Sequence, residues 1–259
     1  MKLLRLGHSM LRFESSKGKV IVVDPWIDGN PTCPGEWQGP SRWSDVDTVL
    51  ITHGHFDHMM GLDKVCQASS KANIIACWEL ALELIFQGKQ NVVPMNKGGS
   101  LELEGVRYSM VNAAHTSSFS DIEKKQTTFL GAAVGYVIEF EEGYRVYVAG
   151  DTGLTADMKF VVGEFFKPDL AILPIGSMVG LTPEQAVYAV EAIRPKMVMP
   201  YHDFSRPEDA PHPEEMAGFL KQFPLIAQTL GGVDTFVSLM KKVPEVDLHL
   251  VKYGDAIEL

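Results

Sequence analysis

One short stretch of the sequence is dense in metal-ligand side chains. The segment "VLITHGHFDHMMG" (49–61) places His53, His55, Asp57 and His58 within six positions, directly after an apolar run. Alternate side chains of an extended chain point the same way, so His53 and His55 share one side, and Asp57 and His58 approach from another after the chain turns. Imidazoles and a carboxylate suit a divalent metal. The spacing H-x-H-x-D-H therefore favours a metal site over a solvated histidine-rich loop.

Further candidates each follow an apolar run that reads as a strand. They are His115 in "NAAHTSS", Asp151 in "VAGDTG" and His202 in "MPYHD". Strand ends of this kind are a usual place for ligands in α/β proteins. We expect all of them to lie at the same edge of a sheet, although the spacing alone leaves open which histidine would serve which ion.

These motifs resemble the metallo-β-lactamase superfamily, whose signature H-x-H-x-D-H is written here as "HGHFDH". The resemblance extends over nearly the whole chain. Within the superfamily, the sequence is most similar to bacterial and archaeal metal-dependent hydrolases that also resemble ascorbate-6-phosphate lactonase. The stretches that support this likeness are "LGHSMLRFE", "VVDPWIDGNP", "VPMNKGGSLEL", "VAGDTGL" and "LAILPIGSMVGLTPEQA".

The resemblance implies two divalent ions, expected to be Zn²⁺, with Mn²⁺ or Fe²⁺ as alternatives. It assigns the first ion to His53, His55 and His115. It assigns the second to Asp57, His58 and His202, with Asp151 bridging the two. Asp57 would also be catalytic, because it would orient the hydroxide that the paired ions generate from water.

Four other positions are expected near the metal pocket without binding metal. Asp24 resembles the aspartate that buttresses the histidine loop in relatives without binding metal. His8 is predicted either to enter the pocket as a substrate contact or proton donor, or to cap a turn. Ser177 and Asp203 depart from the family pattern that the chain resembles, because many relatives have an acidic residue at the first position and an aromatic residue at the second. Both positions are expected beside the metal pocket. We therefore expect the substrate to differ from the substrates of those relatives.

The order of elements predicts an α/β fold, a four-layer αββα sandwich in one domain spanning residues 1–259. Strands open the chain, a Pro/Gly-rich loop follows, and strands then alternate with helices; the second half repeats the pattern and closes with a strand in "DLHLVKYG" (247–254). "TADMKFVVGEFF" (155–166) is expected to be helical, and Thr182 is predicted to begin a helix with a capping box. The polar segment 116–129 is predicted to be a mobile lid, with a plain surface excursion as the alternative.

Composition narrows the classes of function. The 259 residues have a net charge of −10, 46% apolar and 22% charged residues, and no clustering of Lys and Arg, which disfavours nucleic acid as a partner. No apolar run approaches the length of a membrane span. Cys33, Cys66 and Cys77 are an odd number without C-x-x-C spacing. They indicate a reducing, cytoplasmic location and disfavour both a disulfide framework and a thiolate zinc site.

The function that these features favour is hydrolysis of a small cyclic ester or amide, as by a lactonase. The alternatives are a phosphodiesterase or nuclease of the same fold and a non-catalytic, metal-dependent binding protein. Di-iron proteins that reduce oxygen usually have glutamate where His55 stands, so redox use is disfavoured. A small molecule is the expected partner, and a homo-oligomer is the expected assembly.

Overall fold

The computed structural model describes residues 1–121 and 123–259, and its centre is a pair of large β-sheets. The strands are β1 Lys2–Arg5, β2 Leu11–Glu14, β3 Val20–Val23, β4 Thr48–Leu50, β5 Asn73–Cys77, β6 Val92–Met95, β7 Ser100–Leu103, β8 Val106–Asn112, β9 Ser118–Asp121, β10 Gln126–Phe129, β11 Val134–Glu139, β12 Arg145–Val148, β13 Leu170–Pro174, β14 Met197–Tyr201, β15 Asp247–Leu248 and β16 Ala256–Glu258.

Helices connect and cover these strands. The α-helices are α1 Phe56–Met59, α2 Leu62–Ala68, α3 Trp78–Phe86, α4 Pro183–Ile193, α5 Pro213–Gln222 and α6 Gly232–Met240. A π-helix spans Met158–Phe166, and short 3₁₀ helices span Gly35–Trp37, Pro40–Trp43, Pro207–Asp209 and Ile226–Thr229.

The strand directions bring the ends of several strands to the same edge of each sheet. The first sheet has the order β16-β1-β2-β3-β4-β5-β6, and the second has the order β15-β14-β13-β12-β11-β8-β7. In the first sheet β1, β3 and β4 all run the same way, because two antiparallel pairings separate β1 from β3 and β3 is parallel to β4. In the second sheet β8, β12, β13 and β14 likewise share one direction.

Two apolar clusters hold the layers together. The larger lies between the sheets and includes Val22, Ile75 and Tyr136, and it extends to α3 on the outside of the first sheet. The smaller packs the second sheet against α4, α6 and the π-helix. Helices therefore cover the outer faces of two packed sheets, which confirms the predicted αββα sandwich.

A hydrogen bond network also joins the sheets beside the histidine loop. Val134 N donates to Thr52 O at 3.0 Å, and the Tyr136 hydroxyl donates to Ile51 O at 2.9 Å. Thr52 immediately precedes His53, so these bonds fix the start of the loop relative to the second sheet.

Several local predictions can be compared with the structure. The capping box at α4 is confirmed, since Thr182 Oγ1 accepts from Gln185 N and Gln185 Oε1 accepts from Thr182 N. The helix expected at 155–166 is largely a π-helix. The expected closing strand is wrong beyond Leu248: only Asp247–Leu248 pairs with β14, and the chain then crosses to the other sheet, where β16 pairs with β1.

The predicted lid segment contains a β-hairpin made of β9 and β10. One residue of this segment, Ile122, lies outside the described residues. Among the described residues, no single helix has the length and apolar character to cross a membrane; Pro213–Gln222 and Ile226–Met240 meet the test only as a pair, bent by 112°.

Candidate metal centre

The candidate ligands meet at the edge that the strand directions predict. His53 follows β4 in the first sheet. His115, Asp151 and His202 follow β8, β12 and β14 in the second sheet. The turn into α1 brings in Asp57 and His58. The structure thus collects all seven of the predicted positions in one place.

His53, His55 and His115 form one group of imidazoles. Their potential ligand atoms all lie within 4.8 Å of one another, and His53 Nε2 lies 2.9 Å from His55 Nδ1. The opposite nitrogens have other neighbours: Thr52 Oγ1 lies 3.0 Å from His53 Nδ1, and Thr116 Oγ1 lies 3.4 Å from His55 Nε2. Hydroxyl neighbours on the far nitrogens orient the rings so that His53 Nε2 and His55 Nδ1 face the shared space.

Asp57, His58 and His202 form a second group. His202 Nε2 lies 3.2 Å from His58 Nε2 and 3.4 Å from Asp57 Oδ2, and His58 Nε2 lies 3.7 Å from the same carboxylate oxygen. His202 has a backbone φ of 51°, a conformation rare for residues with a side chain. A strained residue at the end of β14 is what places this imidazole opposite α1.

The Asp151 carboxylate lies between the two groups. Its Oδ2 is 3.6 Å from His115 Nε2 and 3.6 Å from His58 Nε2, and its Oδ1 is 3.0 Å from His202 Nε2. The contact between Oδ1 and His202 Nε2 does not have hydrogen-bond geometry, and the buried Oδ1 has no hydrogen-bond partner in the described residues. One carboxylate therefore faces donor atoms of both groups.

Asp24 holds His58 of the second group in place. Its Oδ2 lies 2.8 Å from His58 Nδ1 and accepts 2.7 Å from Thr52 Oγ1, and its Oδ1 accepts 2.8 Å from Thr52 N. With Nδ1 bonded to a carboxylate, His58 presents Nε2 to the centre. Asp24 contacts this ligand candidate rather than the shared space, as the sequence predicts for a buttressing residue.

Electrostatics keep most of the imidazoles neutral and the carboxylates charged. Burial lowers the pKa of His53, His55 and His115, so each retains a lone pair near pH 7. Burial alone would raise the pKa of Asp57, but His58 and His202 outweigh it and lower the pKa.

His58 and Asp151 show the same competition. Burial opposes a charge on His58, but Asp24, Asp151 and Asp57 outweigh it and raise the pKa of this imidazole. Burial likewise opposes the charge on Asp151, but the neighbouring histidines lower its pKa. The surroundings of His58 Nε2 thus attract positive charge.

The donor set fits divalent metal ions. Ligand atoms about 2.0–2.1 Å from a zinc ion are about 3–3.5 Å apart, and most of the separations above lie near this range. Three carboxylates, Asp24, Asp57 and Asp151, are gathered with little exposure to water, and buried negative charge of this density needs cations. Nitrogen and oxygen donors suit zinc, manganese or iron alike.

The centre is partly exposed to solvent. His53, His58, Asp151 and His202 are buried, whereas His55 and His115 are partly exposed and Asp57 keeps 13% of its side chain exposed. The open side lies along the histidine loop and the residues that lead into the β9–β10 hairpin. A substrate would approach there.

His8, Ser177 and Asp203 are placed differently from one another. His8 is fully buried beside the second group, with Nε2 4.0 Å from Asp57 Oδ2. Ser177 lies in the turn after β13, and in the described part of the chain its hydroxyl forms no hydrogen bond with a candidate ligand. Asp203 lies beside the centre through its backbone, since its carbonyl oxygen is 3.2 Å from His8 Nδ1, while its carboxylate pairs with Arg5.

Sequence reasoning missed the hydroxyl groups that hold the loops. Thr52 connects Asp24 to His53, and Ser117 accepts from Gly54 N at 3.1 Å while donating to Leu130 O. The Ser9 hydroxyl donates to the backbone oxygen of Asp57. Their adjacency to ligand motifs was the available signal, because a hydroxyl beside a ligand is a common orienting partner.

Comparison with known proteins agrees with this architecture. The model of the beta-lactamase superfamily domain matches residues 19–202. A UPF0173 metal-dependent hydrolase of Rubrobacter xylanophilus is 34% identical over 252 residues, covering 97% of this chain and 94% of the relative. Another from Methanopyrus kandleri is 39% identical over 215 residues, covering 83% and 89%.

A solved structure supports the same conclusion along the whole chain. Igni18, a metallo hydrolase from the archaeon Ignicoccus hospitalis, superimposes with a TM-score of 0.77 at 26% identity, covering 100% of this chain and 98% of that one. Family model, relatives and structure agree, and the chain belongs to the beta-lactamase superfamily, among the UPF0173 metal-dependent hydrolases.

Proposed function

We propose that this metal-dependent hydrolase uses two divalent ions to open a small cyclic ester or amide. His53, His55 and His115 would hold one ion, Asp57, His58 and His202 the other, and Asp151 would bridge them. The observation that supports two ions most directly is the position of Asp151, whose oxygens lie within 3.6 Å of His115, His58 and His202. A carboxylate that faces both groups is suited to fix the separation of paired ions.

A bound ion pair supplies two things, a water whose pKa is lowered to about 7 and a Lewis acid for a carbonyl oxygen. Asp57 is the residue that would orient the attacking water, since its side chain lies on the open side and its pKa is lowered by His58 and His202 against the effect of burial, so that it accepts hydrogen bonds. Asp151 and Asp24 would hold the imidazoles in place and keep the centre compact.

The surroundings favour an uncharged organic group over a phosphodiester. In residues 1–121 and 123–259, no lysine or arginine side chain forms a hydrogen bond or ion pair with the seven ligand candidates. Aromatic rings lie nearby instead: Trp26 packs edge-on against Phe56, and Phe219 contacts both Trp26 and Phe204. Apolar walls bind ring carbons, whereas a phosphate needs fixed positive charge.

A rate comparison tests the reaction class. Protein whose metal content has been measured would be given a homoserine lactone, a sugar-phosphate lactone, a β-lactam and an aryl phosphodiester. We expect turnover of at least one lactone and little of the phosphodiester. Preference for the phosphodiester would establish the phosphodiesterase alternative, and no turnover of any compound by fully loaded protein would favour the binding role.

The identity of the ion is a separate question. We expect zinc in natively purified protein, and elemental analysis would distinguish it from manganese or iron. The reducing, cytoplasmic location and the homo-oligomer remain predictions from the sequence.

A further inference from the structure

The imidazole of His8 is held rigidly at the edge of the centre. It is fully buried in the loop after β1. Its ring stacks on Phe204 with centroids 3.8 Å apart, meets Trp26 edge-on at 6.0 Å and lies 3.9 Å from the ring of His202. His202 N also donates to His8 O at 3.0 Å. Ring and backbone are therefore both fixed relative to a ligand candidate.

A backbone carbonyl determines which nitrogen of His8 carries hydrogen. His8 Nδ1 lies 3.2 Å from Asp203 O, and a carbonyl oxygen can only accept, so Nδ1 is the donor. The Tyr253 hydroxyl donates to the same oxygen at 2.9 Å, and Arg5 pairs with the Asp203 carboxylate. Neutral His8 then has its lone pair on Nε2.

The lone pair of Nε2 faces the centre without a partner. In the described part of the chain, Nε2 is buried with no hydrogen bond, and it lies 4.0 Å from Asp57 Oδ2. The ligand atoms of His8, Asp57 and His202 all lie within 4.8 Å of one another. A buried lone pair beside a carboxylate is unfavourable unless a cation or a hydrogen-bond donor lies between them.

We infer that His8 is an eighth metal ligand, binding through Nε2 the ion that Asp57 and His202 hold. This inference rests on the metal centre of the proposed function but adds a residue to it. The strand direction agrees, because β1 runs parallel in direction to β3 and β4 and ends at the same edge. The bond from Nδ1 to a backbone carbonyl is the arrangement in which proteins hold metal-binding histidines.

A water molecule is the main competitor for this position. If His202 is a ligand, three acceptors face the space between them: one nitrogen of His8, one nitrogen of His202 and a carboxylate oxygen of Asp57. A water molecule has only two hydrogens to donate, whereas a cation satisfies all three acceptors at once. The geometry therefore favours an ion over water.

Magnetic resonance of the wild-type protein tests the inference without any substrate. Protein labelled with ¹⁵N at histidine would be loaded with ¹¹³Cd²⁺ alone. We expect scalar coupling between ¹¹³Cd and Nε2 of His8, assigned by the signal that disappears in His8→Gln or, if that variant does not fold, in His8→Asn. Couplings to His53 and His115 but none to His8 would overturn the inference. If no histidine showed coupling to ¹¹³Cd, the proposal of a metal centre would itself be overturned.

Metal affinity provides an independent measurement. In His8→Gln we expect the Zn²⁺ affinity of one of the two sites to fall at least about tenfold in competition with a chelator, while the other is unchanged. The matched control is His212→Gln, which removes an imidazole that bonds Cys33 O outside the centre. Wild-type affinities at both sites of a folded His8→Gln protein would overturn the inference. Loss of lactone turnover alone bears on the proposed function and not on this ligand.

Discussion

The Asp24 carboxylate lies 2.8 Å from Nδ1 of His58, and this bond turns Nε2 of the imidazole toward the metal centre. Asp24 adopts a backbone φ of 49° at the end of β3, where a side chain is rarely tolerated. Its carboxylate also accepts two hydrogen bonds from Thr52. A residue held in a strained conformation by three bonds is suited to fix the orientation of a ligand.

We expect Asp24→Asn to weaken binding of one of the two ions by about 10–100-fold, because the amide lacks the charge that orients and polarises His58. Chelator competition at pH 7 would measure both affinities. Asp28→Asn is the matched control, since that carboxylate is exposed and pairs with Lys64. Unchanged affinities in Asp24→Asn would show that the bond to His58 has no role in metal binding.

Asp151→Ala should release the second ion more readily than the first and lower turnover. Loss of a bridging carboxylate removes several kcal/mol of organisation from a paired-ion site, so at least about a hundredfold decrease in kcat is expected. Elemental analysis and kinetics on the same sample would test this, with Asp255→Asn as an exposed control. An Asp151→Ala protein that keeps both ions and full turnover would contradict the bridging role.

The β9–β10 hairpin borders an apolar groove of about 360 Å³ beside the histidine loop, lined in part by Phe56, Phe119 and Thr128. Deleting residues 120–126 should raise KM more than it changes metal content, because Thr116 and Ser117, which contact the loop, remain. Kinetics and elemental analysis would be compared with those of Lys124→Ala in the exposed turn. A deletion that alters neither quantity would remove the lid hypothesis.

The candidate ligand positions could be predicted because strand ends carry a local signal. An apolar run followed by a residue of ligand type marks His53, Asp151 and His202 without knowledge of the tertiary structure, and it also marks Asp24, which contacts His58. The parallel direction of the strands then brings those ends to one edge.

Other features depend on contacts between distant segments. Strand β16 has only three residues and forms because β1 offers an unpaired edge far away in the sequence. Helix α6 begins at a Gly-Gly pair, a poor helix signal, and is stabilised by packing of Phe236 and Met240 on the second sheet. The tautomer of His8 is determined by the carbonyl of Asp203, which no sequence pattern reveals.

The ion pair between Arg12 and Asp45 should make stability depend on pH. Arg12 donates to both carboxylate oxygens, at 3.0 and 2.7 Å, and these bonds hold the pKa of Asp45 below its ordinary value. Because the pKa of Asp45 is lower in the folded protein than in the unfolded chain, the charged carboxylate stabilises the fold at pH values above the unfolded pKa of about 3.9. This stabilisation is lost as the pH falls through the folded pKa.

We therefore expect Asp45→Asn to lower the free energy of unfolding by up to about 1 kcal/mol at pH 7. The effect is small because the Asp45 carboxylate is about half exposed to solvent. The difference from wild type should shrink below about pH 4. Denaturant unfolding at a series of pH values would measure it, with the exposed Glu245→Gln as control. A difference that is constant with pH would exclude the ion pair as its cause.

Gly61 lies where the end of the histidine loop packs against the backbone of the Pro/Gly-rich loop. Its lack of a side chain makes this close contact possible. A Cβ there would lie 2.4 Å from Pro25 O and 2.7 Å from Ile27 N, so backbone must move. We expect Gly61→Ala to lower the free energy of unfolding by about 1–3 kcal/mol. Gly218→Ala is the control, since it lies inside α5 with open space around it and should stabilise by about 0.5–1 kcal/mol. Denaturant unfolding would measure both variants, and equal effects would mean that close backbone packing at Gly61 does not limit the fold.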